Sequence, residues 1–125
     1  MLSRESVERA IAQIKQEIPD HQLDSRFLKN FTGVPYDQEV LGFIRGGKGY
    51  DYLKFLTLLV KKLNISNILE LGNYAGASTV CIYAGMPANA RFTTVDVVED
   101  QRYCTDEMRR DSRVGFVIGV DFGFR

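Results

Sequence analysis

Glu70, Gly72, Gly76, Ser78, Thr79 and Asp96 are the residues whose types and order could handle a ligand. The first five fall in I-L-E-L-G-N-Y-A-G-A-S-T, an apolar run that carries one carboxylate and opens into two glycines four apart. Glycines remove side chains where a ligand must pass close to the backbone. A helix beginning after such a turn points free N–H groups outward and favours a carboxylate or phosphate there. Ser78 and Thr79, in its first turn, can add hydroxyl donors. Asp96 ends the next β-branched run, 24 residues after Gly72, where an acidic side chain suits the paired hydroxyls of a ribose. These features point to a nucleoside-containing ligand. Glu70 narrows the chemistry, because a carboxylate beside the turn suits an amine or cationic centre and repels phosphate.

The turn is not the G-x-G-x-x-G of dinucleotide-binding folds: Tyr74 stands where the middle glycine belongs, and Asn73 and Tyr74 together occupy the turn. Each residue also has a plainer reading. A lone G-x-x-x-G is most often a tight turn, a single Asp96 a strand-end carboxylate, and Tyr74 packing over the turn. Their order and spacing together favour cofactor-binding ancestry, which is not the same as activity.

The elements that must hold these residues follow from periodicity. Val7, Ala10, Ile11, Ile14 and Ile18 recur at helical spacing, with Ser3 as N-cap and Pro19 as stop, which predicts a helix over 4–18. A short helix over 22–30, the turn T-G-V-P at 32–35 and a helix over 37–45 follow. Leu53, Leu56, Leu59, Val60 and Leu63 give a helical face over 51–63, with Lys61 and Lys62 at the end favoured by the helix dipole. Runs at 65–71, 91–96 and 114–118 read as strands, with helices over 76–85 and 99–110 between them. This β-α-β-α-β alternation predicts three parallel strands with flanking helices, an α/β fold. The chain divides into a helical lead-in, 1–45, and the α/β part, 46–125.

The chain has 125 residues, enough for one small domain. Its 16 basic and 16 acidic side chains cancel, so no overall field recruits nucleic acid or a membrane surface. Leu53–Val60, the longest apolar stretch, is interrupted by Lys54 and Thr57 and too short to span a bilayer. The charged N-terminus lacks the apolar centre of a secretory signal. Cys81 and Cys104, expected in different helices and without metal-ligand spacing, read as free, small apolar residues; a reducing cytoplasm is the expected compartment. His21, the single histidine, reads as solvent-facing or capping. Glu99 and Asp100 read as helix caps, and 107–110 as a solvated helix face. Tyr50, Tyr52 and Phe55 could brush a ligand, but core packing of their helix is the favoured reading. No Ser-His-Asp, Cys-His, H-E-x-x-H or C-x-x-C arrangement is present, and no catalytic or metal-binding residue is assigned.

The stretches I-L-E-L-G-N-Y-A-G-A-S-T, R-F-T-T-V-D and V-G-F-V-I-G resemble the class I S-adenosylmethionine-dependent methyltransferases, nearest to the catechol and caffeoyl-CoA O-methyltransferase type, whose first motif often reads E-x-G-x-Y-x-G-x-S. The likeness runs over about 46–120 and includes the lead-in G-G-K-G-Y. It implies a partial Rossmann-like methyltransferase fold and S-adenosylmethionine as cofactor. By position, Glu70, Gly72, Asn73, Tyr74 and Gly76 fall in the motif around the methionine part. Ser78 would contact the methionine carboxylate, Asp96 would hold the ribose hydroxyls, and Val97 would flank adenine. Gly119 falls in the loop that contacts adenine. There G-V-D replaces the family's G-D-A or G-x-S, and Asp121 would accept from the adenine amino group.

The resemblance places the family's metal-binding and acceptor-activating residues from the fourth strand onward, beyond Arg125. This chain is therefore expected to position cofactor for methyl transfer to oxygen in a small-molecule acceptor. The alternatives are an inactive truncated relative, serving as an interaction module or an inert fragment, and another nucleotide-binding α/β domain. With three strands, the run at 65–71 would leave an open edge, so self-association through that edge, a missing partner segment or marginal stability is expected.

Overall fold

The computed structural model describes residues 2–20, 48–72, 76–97 and 104–119, with side chains on the second segment from Tyr52 onward. Several expectations lie outside these residues: the helices over 22–30 and 37–45, the T-G-V-P turn, His21, the Glu99–Asp100 pair, the Tyr50 side chain, and Asn73, Tyr74 and Asp121.

The first helix, α1, covers Arg4–Glu17. Ser3 caps it as expected, its side chain accepting from the Ser6 N–H at 3.1 Å. Ala10 and Ile14 are buried on one face, and a 3-10 turn at Ile18–Asp20 takes in Pro19. The next helix, α2, covers Lys48–Lys62, starting before the expected Asp51 because Gly49 sits in the first turn, where fewest intrahelical bonds depend on it. Lys62 Nζ meets Glu17 Oε1 at 2.7 Å, and Lys54 Nζ donates to the Ile18 carbonyl at 3.3 Å, tying α2 to α1.

Strand β1, Asn67–Leu71, begins two residues later than the apolar run. Asn64 adopts φ +48°, the Ile65 N–H donates to Val60 O, and the Asn64 N–H donates to Lys61 O, both at 3.3 Å. This is a Schellman closure of α2. Ile65, whose β-branched side chain reads as strand, is held by the helix it follows.

Helix α3, Ala77–Ala84, leads to β2, Arg91–Asp96, and helix α4, Asp106–Arg110, leads to β3, Val114–Ile118. Both later strands match the expected bounds. Both pairings among the described residues are parallel, in the order β1-β2-β3, with Glu70 opposite Thr94 and Asp96 opposite Ile118. Cys104 precedes α4 instead of lying in it, because Thr105 is the N-cap, its Oγ1 accepting from the Met108 N–H at 3.2 Å. Met108 overturns the solvated reading of 107–110: it is fully buried, while Glu107, Arg109 and Arg110 remain exposed.

Alternation along the strands sends Ile68, Phe92, Val114 and Phe116 toward the helices, where they join Leu53, Val60, Val80, Cys81, Ile82 and Met108. Each such side chain, fully buried, contributes about 1.5–3 kcal/mol before entropy is counted. Thr57, which reads as an interruption of the apolar stretch, is buried. Its Oγ1 donates to the Cys81 carbonyl at 2.6 Å, and its backbone lies so close to Gly85 that a β-carbon there would collide. Tyr52 is exposed and Phe55 half-buried, so only Phe55 fits the core-packing reading. On the opposite sheet face Leu69 and Leu71 stand 64% and 60% exposed.

Candidate functional site

Three strands end on one edge of the sheet, and the candidate residues follow them. Gly72 comes directly after β1, Asp96 closes β2 and Gly119 follows β3. The Gly72 N–H donates to Val95 O at 2.7 Å, and the Gly119 N–H donates to Asp96 O at 2.9 Å. These bonds stitch the loop starts to β2 and set the candidate residues side by side. In an open α/β sheet, ligands bind at this carboxyl edge.

Two glycines shape the turn into α3. Gly72 has φ +84° with open space around it, a conformation that L side chains rarely adopt. Gly76 has φ +93° and is more tightly constrained, since an added β-carbon would lie 2.6 Å from Cys104 Sγ. As N-cap of α3, Gly76 brings no side chain to the helix end. The helix thus starts without a capping oxygen of its own, which suits an anionic group at that end.

Glu70 sits at the centre of a hydroxyl cluster. Its Oε1 accepts from Thr79 Oγ1 and from Thr94 Oγ1, the latter at 2.9 Å. Its Oε2 accepts from Ser78 Oγ at 2.7 Å. The two threonines are fully buried, whereas Glu70 and Ser78 are half-buried. One carboxylate thereby joins β1, β2 and the first turn of α3. A carboxylate offers about four acceptor positions; Oε1 takes two donors from the interior, and Oε2 takes one on the side of the turn.

Asp96 Oδ1 accepts from the Val97 N–H at 2.7 Å, and Val97 itself is exposed beside it. The structure therefore brings Glu70, Gly72, Gly76, Ser78, Asp96, Val97 and Gly119 to one sheet edge. Thr79 reads from sequence as a hydroxyl donor toward a ligand, but its hydroxyl points into the protein. Thr94 carries no sequence signal at all: a threonine in R-F-T-T-V-D reads as strand propensity. What would have marked it is the pairing of β1 with β2, which sets Thr94 opposite Glu70.

Cys81 and Cys104 are buried and form no disulfide. Burial pushes the Cys81 thiol far above its ordinary range, and the nearby Glu70 charge adds to the effect. The other charged cluster lies before the strands, away from the site. Arg113 Nη2 donates to Asp111 Oδ2 at 2.7 Å, Arg113 Nε to Oδ1 at 3.0 Å, and Tyr83 Oη to Oδ2 at 2.8 Å. Arg113 Nη1 also donates to the Pro87 and Ala88 carbonyls. Hydrogen bonding from Arg113 holds the Asp111 carboxyl well below the usual carboxylate range. Burial and the bond to Asp111 raise the Tyr83 hydroxyl. Among the described residues, no cluster of His, Cys, Asp and Glu could hold a metal ion, and no helix is long and apolar enough to cross a membrane.

The fold and this edge define a Rossmann-like α/β protein with a glycine turn after its first strand. The O-methyltransferase family model matches residues 24–123, and the chain belongs to that family. This sets aside the reading as another kind of nucleotide-binding domain. A relative, the probable caffeoyl-CoA O-methyltransferase 3 of Dictyostelium discoideum, is 28% identical over 86 residues, 69% of this chain and 32% of the relative. The chain thus spans about a third of the length of that curated relative. Among solved structures, the SAH-bound methyltransferase PaMTH1 of Podospora anserina superposes with a TM-score of 0.61 at 15% identity. The overlap covers 96% of this chain and 51% of that one, and it bears out the fold. The O-methyltransferase of Bacillus cereus in complex with SAH overlaps at a TM-score of 0.46 and 22% identity, over 73% of this chain and 47% of that one.

Proposed function

We propose that this chain binds S-adenosylmethionine and positions it for methyl transfer to an oxygen of a small-molecule acceptor. The observation that carries the reading is the gathering of Glu70, Gly72, Gly76 at the uncapped start of α3 and Asp96 on one sheet edge. The donor set fits an amino acid joined to a nucleoside. Glu70 Oε2 is available to an ammonium, the first-turn N–H groups of α3 suit a carboxylate, and Asp96 suits ribose hydroxyls. Ser78 donates its hydroxyl hydrogen to Glu70, so the contact of Ser78 with a ligand carboxylate is assigned to its backbone N–H. Val97 and Gly119 flank the place of the base.

When bound, S-adenosylmethionine supplies an electrophilic methyl group on a sulfonium centre. The contribution of this chain is orientation: the start of α3 at Gly76 and a carboxylate held by three hydroxyls limit the poses of the cofactor, and a well-aligned reactant needs less entropy loss at the transition state. Two buried cysteines that form no disulfide accord with a reducing cytoplasm as the compartment.

Calorimetry with S-adenosylhomocysteine tests the reading. Micromolar binding is expected, weakened at least about tenfold in Asp96→Ala, the loss of a charge-assisted contact. Absence of binding at millimolar ligand overturns it.

A further inference from the structure

We propose that Thr79 and Thr94 are positioning residues that aim Glu70 at the ammonium of the cofactor's amino-acid end, so that the chain discriminates by this end as well as by the nucleoside. The inference rests on the cofactor reading above and deepens it. Both threonine side chains are fully buried, and both hydroxyls donate to the same oxygen, Oε1 of Glu70. Thr94 approaches across the parallel ladder from the residue opposite Glu70, while Thr79 approaches from α3. With Oε1 held from two elements, the plane of the carboxylate is fixed and Oε2 is left on the side of Ser78, in the first turn of α3.

A swing of Glu70 to another rotamer would strand two buried hydroxyls without their acceptor, which is unfavourable. The threonines thus hold the charge in place before any ligand arrives. Preorganised charge recognises a cation better than a mobile side chain does, because no ordering cost falls on binding. Neither threonine need touch the ligand for this to work.

The experiment compares two ligands on the full 125-residue chain: S-adenosylhomocysteine, and 5′-methylthioadenosine, a thioether nucleoside without the amino-acid end. Thr79→Val and Thr94→Val preserve shape and remove the hydroxyl. Each is expected to weaken S-adenosylhomocysteine by about tenfold while changing 5′-methylthioadenosine by less than about twofold. Thr94→Ser, which restores the donor, is expected to return the wild-type ratio. Equal weakening of both ligands would reveal a purely structural role and overturn the proposal, as would unchanged affinity for both. Should the valine variants fail to fold, Glu70→Gln serves instead, since it keeps the shape and removes the charge. It must lose S-adenosylhomocysteine selectively, and wild-type discrimination in that variant overturns the proposal. Wild-type protein that binds neither ligand overturns the cofactor reading along with it, an outcome distinct from wild-type binding with unaltered discrimination in the variants.

Discussion

Gly76 and Cys104 meet so closely that a β-carbon on the first would stand 2.6 Å from the sulfur of the second. The N-cap of α3 is therefore pressed against the residue just before α4. Gly76→Ala is expected to carry two costs: about 1–3 kcal/mol for a left-handed backbone at φ +93°, and about 1–3 kcal/mol for overpacking. Adding Cys104→Ala should recover the second part and leave the first. Urea titrations of the two single variants and the double variant measure this directly; no recovery in the double variant would show that the sulfur is not the obstacle.

Asp111 sets a pH dependence at the edge where the strands begin. Its folded pKa is lowered by Arg113, so the unfolded chain takes up the proton first on acidification. The stabilisation is complete above the ordinary carboxylate pKa of about 4 and fades as pH falls from there toward the folded value. Wild-type protein should therefore exceed Asp111→Asn in stability near neutrality, with the gap narrowing by about pH 3. Denaturation at both pH values checks the sign, and a gap of constant size would contradict it.

The β1 edge should support self-association. Because the Gly72 N–H points to β2, alternation sends the Ile68 and Glu70 backbone groups the same way and those of Asn67, Leu69 and Leu71 to the other side, where no strand among the described residues pairs with β1. An antiparallel copy centred on Leu69 would pair all three and bring the exposed leucines of both copies onto one face. No Lys or Pro guards the strand. Light scattering is expected to show a dimer that Leu69→Lys returns to monomer. A wild-type chain that stays monomeric and thermally robust would rule this out.

Much of this architecture was readable from one sequence because the pattern was local. The strands at 91–96 and 114–118 announce themselves by dense β-branched and aromatic residues, and the glycine turn by its spacing. Ile65 misleads because its side chain favours a strand while its N–H closes a helix. Met108 misleads because charged neighbours on both sides hide a single inward-facing residue on a short helix. The hydroxyl cluster was illegible for a different reason: Thr94 lies 24 residues from Glu70, and only strand pairing brings them together. Asn73, Tyr74 and Asp121 lie outside the described residues, so their roles rest on sequence alone.

The cluster around Glu70 also acts on which fold forms. Side chains alternate across a sheet, so shifting β1 by one residue would turn Glu70 outward and press Leu69 or Leu71 against Thr79 and Thr94. The apolar pattern alone opposes such a slip weakly, because leucines lie on one face of β1 and isoleucine on the other. A carboxylate that fits only where three hydroxyls wait makes the slipped pairing costly, and so works as a registration mark for the strand.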